Sequence, residues 1–311
     1  MKTLLTLTSL LAAFAGRVAA ADHEISNKLL LVRFEDSSGE VTVIERSSGK
    51  IFATTSRLAG GASTVAGDSK AFTVNDGGGA IRFELKDESP FLFVTPSAVN
   101  GTRSTMDLAR VAIPPFRLDL GKPAAHLRTL GTGGLMQTDK NPKSYLFLAC
   151  ADPVTRHGVV AGFATQKRGS GVVFSHVNDG TLELRPRLDH GHLFLHSGES
   201  VVFDTFAIGI FGDARIGLET YASTLAAEHK IKLRPKTAVY CSWYAEGTDH
   251  GGAGTEATTK ELAEFISNKR LKDHGLGVFQ LDHRWQHGPT MGRPATHFDK
   301  VNPNGPYKNG I

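Results

Sequence analysis

Among its 311 residues the chain has only two cysteines, two tryptophans and four methionines, and no internal repeat of fixed period. Two thiols, Cys150 and Cys241, cannot make the multi-bridge framework of a small secreted scaffold. Without a repeat period, a propeller is disfavoured. No clustered run of Lys and Arg appears, which removes the electrostatic footprint expected of a nucleic-acid binder. No apolar run reaches the ~18 residues of a membrane-spanning helix, so no stable membrane anchor is expected. No Ser/His/Asp nucleophile motif, no paired Cys/His cluster and no phosphate-binding fingerprint stands out. Neither a metal nor a cofactor is therefore expected.

What remains is the composition of a soluble globular protein, 40% hydrophobic and 21% charged, long enough for two cores. The 34 glycines suit strands and turns better than a helical bundle. The N-terminus reads as a removable leader. Met1-Lys2 is a positive n-region, Leu4 to Ala15 an apolar h-region, and Val18-Ala19-Ala20 a small-residue cleavage site. Residues 1–20 are thus expected to be a signal peptide cleaved near Ala20, and the protein secreted or periplasmic. An N-terminal anchor is the alternative. Removal of the leader takes Lys2 and Arg17 and no acid, so the formal net charge falls from +4 to +2.

From Asn27 to about Phe211 the apolar residues alternate with period two. Leu29–Phe34, Val41–Ile44 and Ile51-Phe52 are separated by the turn strings Asp36-Ser-Ser-Gly39 and Ser47-Ser-Gly49. These are hairpin signals. Similar runs recur at 71–74, 80–85, 91–94, 145–149, 159–163, 171–174, 181–184 and 201–210. The expected fold is a large antiparallel β-sandwich over residues 21–234, its inner faces buried and its outer faces solvated. A helix closes that domain: Asp213 reads as its N-cap, and Ile216, Leu218, Tyr221, Ala222, Leu225 and Ala226 as its apolar stripe. Lys232-Leu-Arg-Pro-Lys236 reads as a linker, with the boundary near Pro235.

Residues 235–311 change pattern. Ala238-Val-Tyr-Cys-Ser-Trp-Tyr244 and Val278-Phe-Gln-Leu-Asp-His-Arg-Trp-Gln286 are apolar runs that end in polar and aromatic residues. Between them Thr258-x-x-Glu261 reads as a capping box, Leu262, Phe265 and Ile266 as one helix face, and Asp273-His-Gly275 as the stop. The unit is strand, helix, strand, with the second strand expected to be buried and parallel. Ligands in parallel α/β folds are met at the C-terminal ends of strands, where Trp243, Asp282 and Trp285 fall. A carboxylate there can accept charge-assisted hydrogen bonds from vicinal sugar hydroxyls, and indoles can pack on sugar C–H faces. These three residues are the candidate substrate contacts. The plainer readings are a turn-capping Asp and two core tryptophans.

Other features read as structural. His190-x-His192-x-x-x-His196 spreads its imidazoles along an extended strand and reads as a solvated face. His283, His287 and His297 read as loop polarity. Gly131-Thr-Gly-Gly134 reads as a sharp turn, and Asn100-Gly-Thr102 matches a glycosylation sequon. Cys150, inside an apolar run, reads as a buried thiol, a bridge to Cys241 being the alternative in an exported protein.

The order sandwich, linker, Tyr-Cys-Ser-Trp-Tyr, helix, Leu-Asp-His-Arg-Trp-Gln resembles the α-galactosidase (melibiase) clan of retaining glycoside hydrolases. In that clan a β-domain often precedes a (β/α)8 barrel. The first barrel strand commonly ends in Cys/Asn-Ser-Trp, matched by Cys241-Ser242-Trp243. The second commonly ends in Asp-Asp-Gly-Trp-Gln, matched in part by Asp282-His283-Arg284-Trp285-Gln286. The closing Pro303–Ile311 segment looks like the loop into the next barrel helix. The resemblance covers residues 235–311 by motif and 27–234 by architecture and order. It implies the first βαβ unit of a TIM barrel, truncated here, with Asp282 and Trp285 contacting substrate and Trp243 as an aromatic wall. His283 and Arg284 replace the second Asp and the Gly, which leaves the sugar open.

In the clan the nucleophile ends the fourth barrel strand and the acid/base comes later. Retention requires two carboxyl groups about 5–5.5 Å apart, and the only acid after Asp282 is Asp299. No catalytic residue is therefore assigned. The resemblance implies the N-terminal part of an enzyme cleaving terminal α-galactosides, inactive as this chain alone. A galactosyl transglycosylase of the raffinose-synthase type is the alternative within the clan. A non-catalytic carbohydrate-binding sandwich and a structural cell-envelope sandwich are the alternatives outside it. The expected partner is an oligosaccharide or galactoside.

Overall fold

A computed structural model describes residues 23–58, 64–67, 69–75, 78–233, 236–241, 255–282, 285–288 and 297–310. The leader and its cleavage site, the linker residue Pro235, and the stretch holding Trp243 lie outside the described residues. The chain divides into two compact units, Met1–Ile231 and Lys232–Ile311. No helix among the described residues is long and apolar enough to cross a membrane.

The first unit is built on two large sheets whose pairings are all antiparallel. The first sheet runs from the hairpins of His23–Ser26, Leu30–Glu35, Glu40–Glu45 and Lys50–Thr55 through Phe116–Leu118 to Thr181–Asp189, Ser170–Asn178 and Lys143–Tyr145. The second runs from Gly134–Gln137 through Arg128–Gly131, Phe147–Ala151, Gly158–Phe163, Phe206–Phe211 and Leu92–Val99 to Gly79–Leu85, Ala71–Asn75 and Thr64–Gly67. Alternation decides which side chains enter: Leu30, Val32 and Phe34 are buried, while Arg33 and Glu35 face water. Rings from the two sheets meet in the core, Phe34 with Phe72 at 6.0 Å and Phe116 with Phe206 at 5.9 Å. The sheet-rich sandwich expected from period two is what forms.

One expectation fails. The outer face of the second sheet is not solvated at its centre. All six residues of Gly158–Phe163 are buried, because helix α1 (Ala214–Glu228) covers that face. Phe91, Phe93, Ala149, Val160 and Ala207 pack there with Ala214 and Tyr221 in a second apolar cluster. The approach is close. A methyl group on Gly217 of α1 would sit 2.8 Å from Val160 Cγ2. Gly217 and Tyr221 form the buried stripe, whereas Ile216 is 56% exposed. Asp213 does cap the helix, accepting from Arg215 N at 2.9 Å. The Arg215 side chain, hydrogen-bonded to it, holds the Asp213 carboxyl far below the usual range.

Two further details differ from the pattern. The run at 201–210 is broken into Ser200–Val202 and Phe206–Phe211 around the buried Asp204. Its carboxylate accepts from Thr165 Oγ1 (2.9 Å) and from the amides of Lys167 (2.7 Å), Arg168 (2.9 Å) and Gly169 (3.0 Å). Leu146, where the chain passes from the first sheet to the second, takes φ 66°. It is held there by Leu146 N donating to Gly171 O (2.9 Å) and Phe163 N donating to Leu146 O (2.8 Å).

The second unit contains a parallel pair, Ala238–Cys241 with Leu276–Gln280, joined through α2 (Glu256–Asn268). This is the expected strand–helix–strand unit. The helix starts one turn earlier than the Thr258/Glu261 reading placed it. Thr255 is the N-cap, and its capping box closes with Thr258: Thr258 N donates to Thr255 Oγ1 at 3.2 Å and Thr255 N to Thr258 Oγ1 at 2.9 Å. Gly275, at φ 95°, follows the 3-10 turn Leu271–His274 and leads into the second strand. That strand is not buried as expected. Val278 is 46% exposed, and Phe265 on α2 is 51% exposed, because the sheet has two strands among the described residues. Tyr240 and Phe279 meet across the pair as tilted rings with centroids 4.9 Å apart. Tyr307, 2% exposed, meets α2 through its hydroxyl and Thr259 Oγ1.

Candidate sugar-binding site

Parallel pairing sets Cys241 opposite Gln280, with a register shift between Ala238 and Val239. Asp282 follows two residues after Gln280, the last residue of the second strand. The result is a polar cluster at the strand tips. Gln280 Nε2 donates to Asp282 Oδ2 at 3.2 Å, and Cys241 Sγ lies 3.5 Å from the same oxygen. Asp282 and Cys241 are half-buried. Here a carboxylate lies just past the C-terminal end of a parallel strand, the end at which open α/β sheets meet their ligands.

Trp285, also half-buried, stands at the base of a small hairpin. Its carbonyl accepts from Asn302 N at 2.8 Å, and Gln286–His287 pairs antiparallel with His297–Val301. Gln286 Oε1 is buried without a hydrogen-bond partner among the described residues, an acceptor available to a donor. Trp243 lies outside the described residues, as do His283 and Arg284. The structure thus places Asp282 and Trp285 in the segment after the second strand and adds two neighbours that sequence reasoning missed, Cys241 and Gln280. The signal for Gln280 was present in its spacing of two from Asp282. Cys241 required the cross-strand register.

The residues set aside as structural have structural partners. His190, His192 and His196 face three different neighbours: Arg168 O at 3.0 Å, Asp107 Oδ2 at 2.7 Å and Thr105 Oγ1 at 3.1 Å. Gly131 and Gly134 face each other across a hairpin turn, Gly134 at φ 91°. Asn100 of the sequon is fully buried, and its Nδ2 donates to Ser104 O and Leu195 O, both at 2.8 Å. Cys150 is fully buried, and desolvation pushes its thiol pKa up. Both cysteines are free thiols, so the bridge is not formed.

No family model matches the chain. No curated protein matches it by sequence. Solved structures do. An α-galactosidase from Lactobacillus brevis aligns over 87% of this chain and 49% of its own, at 12% identity and a TM-score of 0.53. An α-N-acetylgalactosaminidase from Bifidobacterium bifidum, solved with GalNAc, aligns over 88% of this chain and 54% of its own, at 12% identity and a TM-score of 0.52. The chain shares its fold with these two glycosidases. The resemblance to α-galactosidases holds at the level of fold, and the chain spans about half the length of each enzyme.

Proposed function

We propose that this chain is the N-terminal part of an exported glycoside hydrolase of the α-galactosidase kind. In this reading, residues 1–20 are its leader, the sandwich precedes the catalytic domain, and the parallel unit opens a (β/α)8 barrel. Asp282 binds sugar hydroxyls, while Trp243 and Trp285 flank the ring. The parent enzyme cleaves terminal α-galactosides with retention, its nucleophile and acid/base lying on later barrel strands. The observation that carries the reading is the likeness to two glycosidases over nearly nine-tenths of the chain. That likeness extends beyond the sandwich into the unit bearing Asp282.

The exocyclic group at C2 is the open point. The likeness to the α-N-acetylgalactosaminidase equals that to the α-galactosidase, and His283 stands where the clan's second acid would hold galactose. Terminal α-N-acetylgalactosaminides are therefore the second substrate class. The test is hydrolysis of nitrophenyl α-galactoside and nitrophenyl α-N-acetylgalactosaminide. Chain 1–311 alone is expected to turn over neither. The full protein, expressed with its downstream reading frame, is expected to turn over one, its first product NMR-detected as the α-anomer. Turnover by 1–311, or none by the full protein, contradicts the proposal.

A further inference from the structure

We infer that Cys241 and Gln280 are positioning residues for the sugar-binding carboxylate, a role that rests on the reading of Asp282 as the hydroxyl acceptor. The two residues sit opposite each other on adjacent parallel strands. Both direct a hydrogen toward one oxygen, Asp282 Oδ2, at 3.5 Å from Sγ and 3.2 Å from Nε2. A carboxylate two residues beyond a strand terminus has rotamer freedom that a ligand must remove on binding. Two donors on one oxygen fix the plane of the group before the sugar arrives. They come from both strands, so the orientation of Asp282 is tied to the register of the pair. A thiol is the weaker donor of the two.

The role is separable from mere folding. Cys241→Ala removes the donor at the cost of one sulfur, whereas Cys241→Ser restores an O–H at nearly the same place. The full-length protein is assayed with nitrophenyl α-galactoside or α-N-acetylgalactosaminide, and thermal midpoints are recorded in parallel. We expect Cys241→Ala and Gln280→Leu each to raise KM about five- to tenfold, with kcat changed less than threefold. Cys241→Ser should bring KM back to within about twofold of the natural protein, and all three midpoints should stay close to it. An unchanged KM in both Cys241→Ala and Gln280→Leu, in an enzyme that is active, overturns the positioning role and leaves the function standing. Equal losses in Cys241→Ala and Cys241→Ser, with lowered midpoints, overturn it in favour of packing. An unaltered protein that neither cleaves these glycosides nor binds galactose or N-acetylgalactosamine in a calorimetric titration removes the sugar site itself, and this inference with it.

Discussion

The Tyr221 hydroxyl of α1 donates to the backbone carbonyl of Phe163, 2.7 Å away, and so ties the helix to a central strand of the second sheet. Tyr221 is 4% exposed, and burial pushes its phenol pKa above the ordinary value. Tyr221→Phe is expected to cost about 1 kcal/mol at neutral pH. A raised folded-state pKa means that the contribution is full below about pH 10, where the unfolded phenol is still protonated. It is lost as pH rises and the unfolded chain ionises first. Urea midpoints of the two proteins should therefore differ at pH 8 and converge above pH 10. A gap that widens at high pH would contradict this.

Gly162 lies directly beneath that hydroxyl. A Cβ there would be 2.5 Å from Tyr221 Oη and 2.7 Å from Leu146 O. One of these is backbone and cannot swing away, so Gly162→Ala should destabilise the first unit by about 2–3 kcal/mol. Gly180→Ala provides a contrast of another kind: its surroundings are open, and its φ of 77° alone is strained, so about 1 kcal/mol is expected. Denaturant titration of both variants measures the difference between crowding and backbone strain.

Asp204 organises the loop between two strands through four hydrogen bonds to one carboxylate. Burial raises its pKa, but the amides of Lys167, Arg168 and Gly169 and the Thr165 hydroxyl together outweigh burial and hold it below the ordinary value. With the folded pKa depressed, the stabilisation is present above about pH 4 and disappears as pH falls through the folded value. Asp204→Asn should cost about 2 kcal/mol at pH 7. At pH 3 it should cost much less. Equal losses at both values would show that charge is irrelevant there.

If Asp282 accepts sugar hydroxyls, Asp282→Asn in the full protein should weaken galactose inhibition by about 10- to 100-fold, the span of a charge-assisted pair. Trp243→Ala and Trp285→Ala should each weaken it about tenfold, mostly through lost ring packing. Competition against a nitrophenyl glycoside reads all three. Unchanged inhibition in Asp282→Asn would leave that residue as a turn cap, the plainer role weighed for it in the sequence.

Much of the sandwich could be read from alternation, because one buried face imposes period two on strands such as Leu30–Glu35. The helix itself is legible from its cap Asp213, but its seat on the second sheet's outer face is not. The trace of that seat is the unbroken apolar run Gly158-Val-Val-Ala-Gly-Phe163, which suits burial on both sides. The strands Phe116–Leu118, Arg128–Gly131 and Gly134–Gln137 are three or four residues long, too short for alternation to stand out. They exist because neighbouring strands pair with them. In the second unit the tip position of Asp282 followed from the end of an apolar run. The approach of Cys241 depended on a parallel register with a bulge, which no local pattern encodes. The cap of α2 is ambiguous in the sequence because Thr258-x-x-Glu261 fits the capping rule, while the reciprocal Thr255–Thr258 pair closes the box one turn earlier.

The helix across the second sheet sets a limit on how the protein can be shortened. A chain cut just after Phe211 would keep all the sandwich strands and yet leave Phe91, Phe93 and Val160 facing water. Such a product should precipitate or self-associate, whereas one retaining the segment through Glu228 should remain dispersed. The smallest well-behaved version of the first unit therefore ends with a helix rather than with its last strand.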